Sequence, residues 1–297
     1  MPCPSNLTFW NVGSAHADAA FGGSTHGFAT FDEWVAPEAG RQAAWNSPVP
    51  GTVLGGTYTG VLDDLARAPA AKTGIVLFAR ADGMEAFLTA VGRLQPGLTL
   101  LGGATARQGS TGELAPPAPE VSLLLLPAGE VETTNVLTPT GPRIEAKTAG
   151  PRRLAALRAW GESAWQPARQ ALVALKARSG CPVDRFEEAT LADPLGRNLH
   201  LSVNGDELDS GAQVDSVELV FRTARPDEVQ TRFQEFCSVP NALVVGCAGL
   251  RSLLARPLRP AAGTLVVFLF GEVIPLAGQN RFGNLMLGRL RFQGHPE

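Results

Sequence analysis

Residues 73–101 read TGIVLFARADGMEAFLTAVGRLQPGLTLL, and their pattern decides the fold class. Residues 73–79 are an almost unbroken apolar run of the length of a buried strand. Asp82 is placed to cap a helix over 83–94, where Met84, Phe87, Leu88, Val91 and Leu94 share one face. Pro96-Gly97 stops that helix, and 98–101 opens a second apolar strand. A strand, a crossover helix and a strand within about 30 residues form a βαβ unit, so this part of the chain holds a parallel pair.

Working outward, 6–12 (NLTFWNV) predicts a first strand. Residues 13–58 are rich in Gly, Ala, Pro, Ser and Thr and predict loops with one short helix near 37–45. A helix is expected over 60–67, and strands over 121–126 and 131–137. The stretch 139–151 (PTGPRIEAKTAGP) carries three prolines and two glycines and reads as a boundary between halves. Beyond it, 152–177 predicts one long helix, or two broken near Gly161 or Pro167. Residues 198–203 and 213–222 alternate apolar and polar side chains like half-exposed antiparallel strands, with Asn204-Gly205 as a turn signal. A helix opening on Pro226 and strands at 242–246, 264–270 and 285–292 complete the pattern. The expected class is α/β with mixed sheets, in two sequential α/β domains at 1–140 and 152–297.

Composition narrows the function. The 297 residues are 44% hydrophobic and 18% charged, enough for real cores and far from a disordered composition. A net charge of −3 gives no broad cationic field, so neither nucleic acid nor a membrane surface is an expected partner. Of the 25 basic residues only Lys72, Lys147 and Lys176 are lysines, a coding bias rather than a phosphate-binding pattern. The apolar runs are strand-length and fall short of a membrane span. No basic-then-apolar run precedes the first charged residues, so no signal segment is expected. Cys3, Cys181, Cys237 and Cys247 lack C-x-x-C spacing, which implies reduced thiols in a cytoplasmic protein.

Chemistry-bearing motifs are sparse. His16 and His26 stand ten residues apart in Gly-rich sequence with no evident third ligand, so no metal is expected. There is no Gly-x-Ser-x-Gly elbow, no P-loop and no dinucleotide fingerprint. No cofactor and no catalytic residue are assigned. Gly102 and Gly103 read as a turn just past a strand end, where a ligand can approach backbone, with Thr105 adding a hydroxyl; a tight turn without a ligand explains them as well. Glu272, preceded by Phe268 and Phe270, is expected to be partly desolvated. It would pair with a ligand ammonium or with Arg251 or Arg281. Cys247 ends an apolar strand and reads as a buried thiol, the alternative being a nucleophile.

Three runs carry a family resemblance: LVVGCAGLR (243–251), VVFLFGEVIP (266–275) and GQNRFGNLMLGRLRF (278–292). Together they resemble the end of a FIST C domain, whose most specific element here is Gly271-Glu272-x-x-Pro275. Residues 198–222 are similar to the middle of that domain. Val12-Gly-Ser-Ala-His16, 74–80 and the Leu100-Leu-Gly-Gly-Ala-Thr105 segment resemble FIST N. Residues 17–70 fit no pattern of the family, and Arg107 and Leu250 depart from it. The resemblance implies a sensory, signal-transduction module that binds a small molecule, amino acids among the candidates, with a separate output protein as partner. The ligand anchors it suggests are Gly102, Gly103, Thr105, Cys247, Arg251, Glu272 and Asn284. The alternatives are a hydrolase or transferase using Cys247, and a protein-interaction scaffold.

Overall fold

The computed structural model describes residues 6–11, 17–21, 24–29, 42–79, 83–104, 120–181, 189–214, 216–269 and 271–292. The fold is mixed α/β. Strands β1 (Asn6–Asn11), β2 (Ala17–Phe21), β3 (Ser24–Ala29) and β4 (Gln42–Asn46) form a small antiparallel sheet. Loops were expected over most of this segment. Its strands are only five or six residues long, and their pairing across the sheet is not visible in local composition.

The region that positions the site begins with β5 (Thr52–Gly56), α1 (Tyr58–Arg67), β6 (Thr73–Phe78), α2 (Met84–Leu94), β7 (Thr99–Ala104), β8 (Val121–Leu126) and β9 (Glu130–Asn135). Strands β6 and β7 pair in parallel around α2, as the sequence predicts. Helix α1 starts two residues earlier than expected, because the Thr57 hydroxyl accepts the Gly60 N–H at 3.2 Å and caps it. Gly83, with φ 79°, is the N-cap of α2; the cap expected at Asp82 lies outside the described residues.

The chain then leaves for a seven-stranded antiparallel sheet. It comprises β10 (Thr138–Gly150), β11 (Arg153–Ala159), β12 (Gln166–Pro167), α3 (Ala168–Arg178), β13 (Ala189–Ala192), β14 (Leu201–Asn204), β15 (Glu207–Ser210) and β16 (Glu218–Thr223). Two expectations are corrected here. The stretch expected as a boundary is a 13-residue strand whose register shifts accommodate its Pro and Gly residues between β11 and β16. The long helix expected over 152–177 begins only after Pro167. Its first half is β11, whose Ala and Leu residues pair with β10 and β15, so tertiary context overrides helix propensity. The Asn204-Gly205 turn closes the tight β14–β15 hairpin.

The chain returns with α4 (Pro226–Cys237), β17 (Leu243–Cys247), a 3-10 turn over Ala248–Leu253, β18 (Leu265–Leu269), β19 (Glu272–Leu276), β20 (Gln279–Gly283) and β21 (Met286–Arg291). Two sheets result, ordered β20-β19-β7-β6-β8-β5 and β18-β17-β21-β9. In each, a parallel pair (β6 with β7, β17 with β18) is flanked by an antiparallel strand (β8, β21). The two halves exchange strands. Strand β9, from before the seven-stranded sheet, pairs with β21, while the β19–β20 hairpin extends the sheet of β6 and β7. Two pairings, β7 with β19 and β9 with β21, thus join strands from either side of the stretch between residues 140 and 152.

Period-two burial explains the layering. In β6, Ile75 and Leu77 face an apolar core shared with Val245 and Val267 of the other sheet. Their neighbours Val76 and Phe78 face the opposite way and pack under α1 and α2 with Phe87 and Val91. In the second sheet, Val244, Val266 and Phe268 pack beneath Phe233 of α4. The order of layers is helix, sheet, sheet, helix. Strands covered on both faces have to be apolar throughout, which is why residues 121–126 and 265–269 show no alternation.

Gly102 and Gly103 are not a turn past a strand end. They lie inside β7, where Gly103 faces Glu272 and Gly102 faces Val273. A Cβ on Gly102 would lie 1.7 Å from the Val76 carbonyl oxygen, and one on Gly103 would lie 2.1 Å from the Gly271 oxygen. The glycines serve the close approach of backbones. Farther along the hairpin the Asn280 amide replaces the missing ladder, accepting the Leu100 N–H at 2.8 Å and donating to the Leu98 oxygen at 2.7 Å.

Gly103→Ala should therefore lower stability in urea by about 3 kcal/mol or more, or block folding, through forced separation of β7 from β19. Gly92→Ala, in α2 with open space around it, should instead stabilise by about 0.5–1 kcal/mol. Equal midpoints for wild type and Gly103→Ala would refute this account of the junction.

Candidate functional site

Three strand ends meet where β7 touches β19. Cys247 closes β17, Leu269 closes β18 beside it in parallel register, and Ala104 closes β7, donating its N–H to the Gly271 oxygen at 3.2 Å. Carboxyl ends of parallel strands are the usual place for ligands in α/β sheets. Of the seven residues expected to anchor a ligand, Gly102, Gly103, Cys247 and Glu272 come together here. Asn284 follows β20 and bridges to Asn198. Arg251 lies in the turn after Cys247 and is partly exposed. Thr105 lies outside the described residues.

Glu272 is 0% exposed. Its Oε2 accepts the Met286 N–H at 3.2 Å, whereas Oε1 has no hydrogen-bond partner. In place of the expected guanidinium, the carboxyl meets the Cys247 thiol and backbone N–H groups. Burial pushes its pKa up to about 8, against the pull of the thiol and of the Met286, Glu272 and Gly271 amides. Near neutrality the group is therefore largely protonated. The Cys247 thiol is driven well above the ordinary thiol range, first by burial and then by the Glu272 charge, although the Leu285 and Gly249 N–H groups favour the thiolate. A nucleophilic cysteine needs the opposite environment.

Around this pair the backbone is held in an uncommon conformation. Leu285 is 1% exposed and has φ 55°, a left-handed geometry that costs a leucine about 1–2 kcal/mol. It is fixed from both sides. Its N–H points to the Cys247 sulfur, and its oxygen accepts from Asn198 Nδ2 at 3.0 Å. Asn198 is fully buried and exchanges amide hydrogen bonds with Asn135 at 2.9 and 3.0 Å. Next to it, Arg197 is 2% exposed and donates to Asp193 Oδ2 at 2.9 Å, Glu85 Oε1 at 3.3 Å and the Gln213 oxygen at 2.7 Å. These groups are satisfied. Asn284, also buried, is not, because its Nδ2 finds no partner.

The sequence reading missed Asn135, Arg197 and Asn198. The available signal was Asp193-Pro-Leu-Gly-Arg-Asn198, a turn sequence whose polar residues look solvated until the sheets close over them. Comparisons with protein-family models, curated proteins and solved structures found no match. No helix among the described residues is long and apolar enough to cross a membrane.

Two outcomes follow from the buried pair. Between the ordinary carboxyl value of 4.5 and about 8, the folded chain keeps a proton on Glu272 that the unfolded chain releases. Its contribution to stability is complete below 4.5 and is lost as pH rises through 8. Urea midpoints should fall across that window, and Glu272→Gln should flatten the fall. Alkylation of Cys247 by iodoacetamide, followed by peptide mass spectrometry, should run far more slowly than for free cysteine at neutral pH until the chain unfolds.

Proposed function

We propose that this chain is a small-molecule-binding sensory module of the FIST type, without catalytic activity of its own, that passes ligand occupancy to a separate output protein. The resemblance carried by Gly271-Glu272-x-x-Pro275 and its neighbours motivates the reading. One structural observation supports it most. Glu272 Oε1 and Asn284 Nδ2 are both sealed from water and both lack a partner, beside the meeting point of three strand ends.

Leaving a buried polar atom unsatisfied costs roughly 1–3 kcal/mol, and native structures reserve such atoms for particular uses. A ligand group reaching either atom would remove that atom's penalty. The left-handed Leu285 beside them is a further local cost of the kind that gathers at binding sites. The thiol is a poor nucleophile here, so binding fits the pair better than covalent chemistry does. Cys181, Cys237 and Cys247 are free thiols, which suits the reducing cytoplasm in which we place the module.

A thermal-shift screen against amino acids and small metabolites tests this reading. At about a hundredfold excess over Kd a ligand adds roughly 2.7 kcal/mol, or several degrees in Tm. That shift should vanish in Glu272→Gln and in Asn284→Ala, each checked by circular dichroism for an intact fold. A flat response of folded wild type across the panel would remove the sensor reading.

A further inference from the structure

We propose that the cleft between α4 and residues 254–260 is a docking site for an extended acidic peptide segment of a partner protein. The cleft has a volume of about 750 Å³. Pro257 is the one apolar residue among those lining it, whereas small-molecule sites have mostly apolar walls. A polar, charged groove suits a solvated peptide better. The inference goes beyond the sensory reading, and its test touches no residue of the strand-end site.

Residues 254–260 form no helix or strand of their own, yet two glutamines one helical turn apart on α4 hold them. Gln230 Oε1 accepts the Arg256 N–H at 3.0 Å. The Gln234 amide accepts the Arg259 N–H at 3.1 Å and donates to the Arg259 oxygen at 2.8 Å. Between the two arginines, Leu258 is 4% exposed and anchors the segment in the core that Phe233 shares. Each arginine also precedes a proline, Pro257 or Pro260, which biases it to extended backbone. A ligand therefore meets a main chain that is already ordered. Charge supplies the ligand class. Arg256 and Arg259 are exposed and both line the cleft. Neither guanidinium has a hydrogen-bond, ion-pair or ring partner among the described residues. Three residues of extended chain separate them by up to about 10 Å, the spacing of two carboxylates three residues apart on a facing extended peptide. Glu235 is the one carboxylate lining the cleft; Asp227 and Glu228, in the first turn of α4, line a different groove. Two cations thus face one anion.

Calorimetric titration of the full chain at low ionic strength tests the site. The probes are the end-blocked hexapeptide Gly-Glu-Gly-Gly-Glu-Gly, its counterparts with Gln or Lys in place of both Glu, inorganic phosphate and oligothymidylate. The acidic peptide should bind, and more weakly as salt rises; the Gln and Lys peptides should not. Arg256→Gln and Arg259→Gln should each weaken that binding about threefold, and the double variant about tenfold, as expected for exposed ion pairs. Glu235→Gln should tighten it about twofold, a gain that a purely structural role for these side chains does not produce. Circular dichroism should be unchanged in all four variants. No binding of the acidic peptide, equal binding of the Gln peptide, or affinity untouched by the double substitution overturns the proposal. So does phosphate or oligothymidylate binding as tightly as the acidic peptide, since that outcome makes the arginines a general anion site.

Discussion

The close approach of β7 to β19 is the constraint on which the rest depends. Two Cα pairings, Gly103 with Glu272 and Gly102 with Val273, join strands about 170 residues apart in sequence and merge the two halves into shared sheets. The contact leaves no room for a side chain on Gly103, which faces Gly271, while Gly102 is pressed from the other side of β7 by the Val76 carbonyl of β6. It also decides the environment of Glu272. Set at the start of a strand that is buried by its own pairing, the carboxyl has no route to water, and its raised pKa follows from that position rather than from a charged neighbour.

The polar residues behind this junction fall into two groups. Asn135, Asn198, Arg197 and Asp193 satisfy one another and nearby carbonyls at 2.7–3.0 Å, and they tie the seven-stranded sheet to the strand-end region. A fully connected buried network of this kind specifies one arrangement of the sheets. Glu272 and Asn284 sit against that network without completing it. Polar atoms left over next to a satisfied network differ from atoms stranded by loose packing, because the surrounding groups are held firmly enough to keep them in place.

Much of the α/β class was legible in sequence, and the reasons are local. The 73–101 unit announces itself because a strand covered on both faces is apolar throughout and an amphipathic crossover helix follows it. Strands 121–126 and 265–269 are readable on the same ground. The glycine pair, β11 and the boundary stretch were misread because each depends on a partner remote in sequence. Gly102-Gly103 looks like a turn until Val76 and Gly271 are seen to press on it. RLAALRA looks helical until β10 and β15 flank it. Glu272 and Cys247 could be singled out individually, but nothing in their spacing announces that they touch. Asn198 and Arg197 offered only the turn sequence 193–198, which cannot tell a buried amide or guanidinium from a solvated one.

The β19–β20 hairpin is the element by which the C-terminal strands join the sheet of β6 and β7. It begins at Glu272, inside the strand-end seam, and its outer turn brings Gln279 and Arg281 to a cleft beside α2. Two backbone pairings and the Asn280 amide hold it to β7, whereas β6 and β7 share six. The rest of its attachment is made by buried side chains, since Val273 and Ile274 are 0% and Phe282 2% exposed. A displacement of the hairpin as a unit would shift the cleft wall and Glu272 together, because five paired residues make β19 and β20 one ribbon.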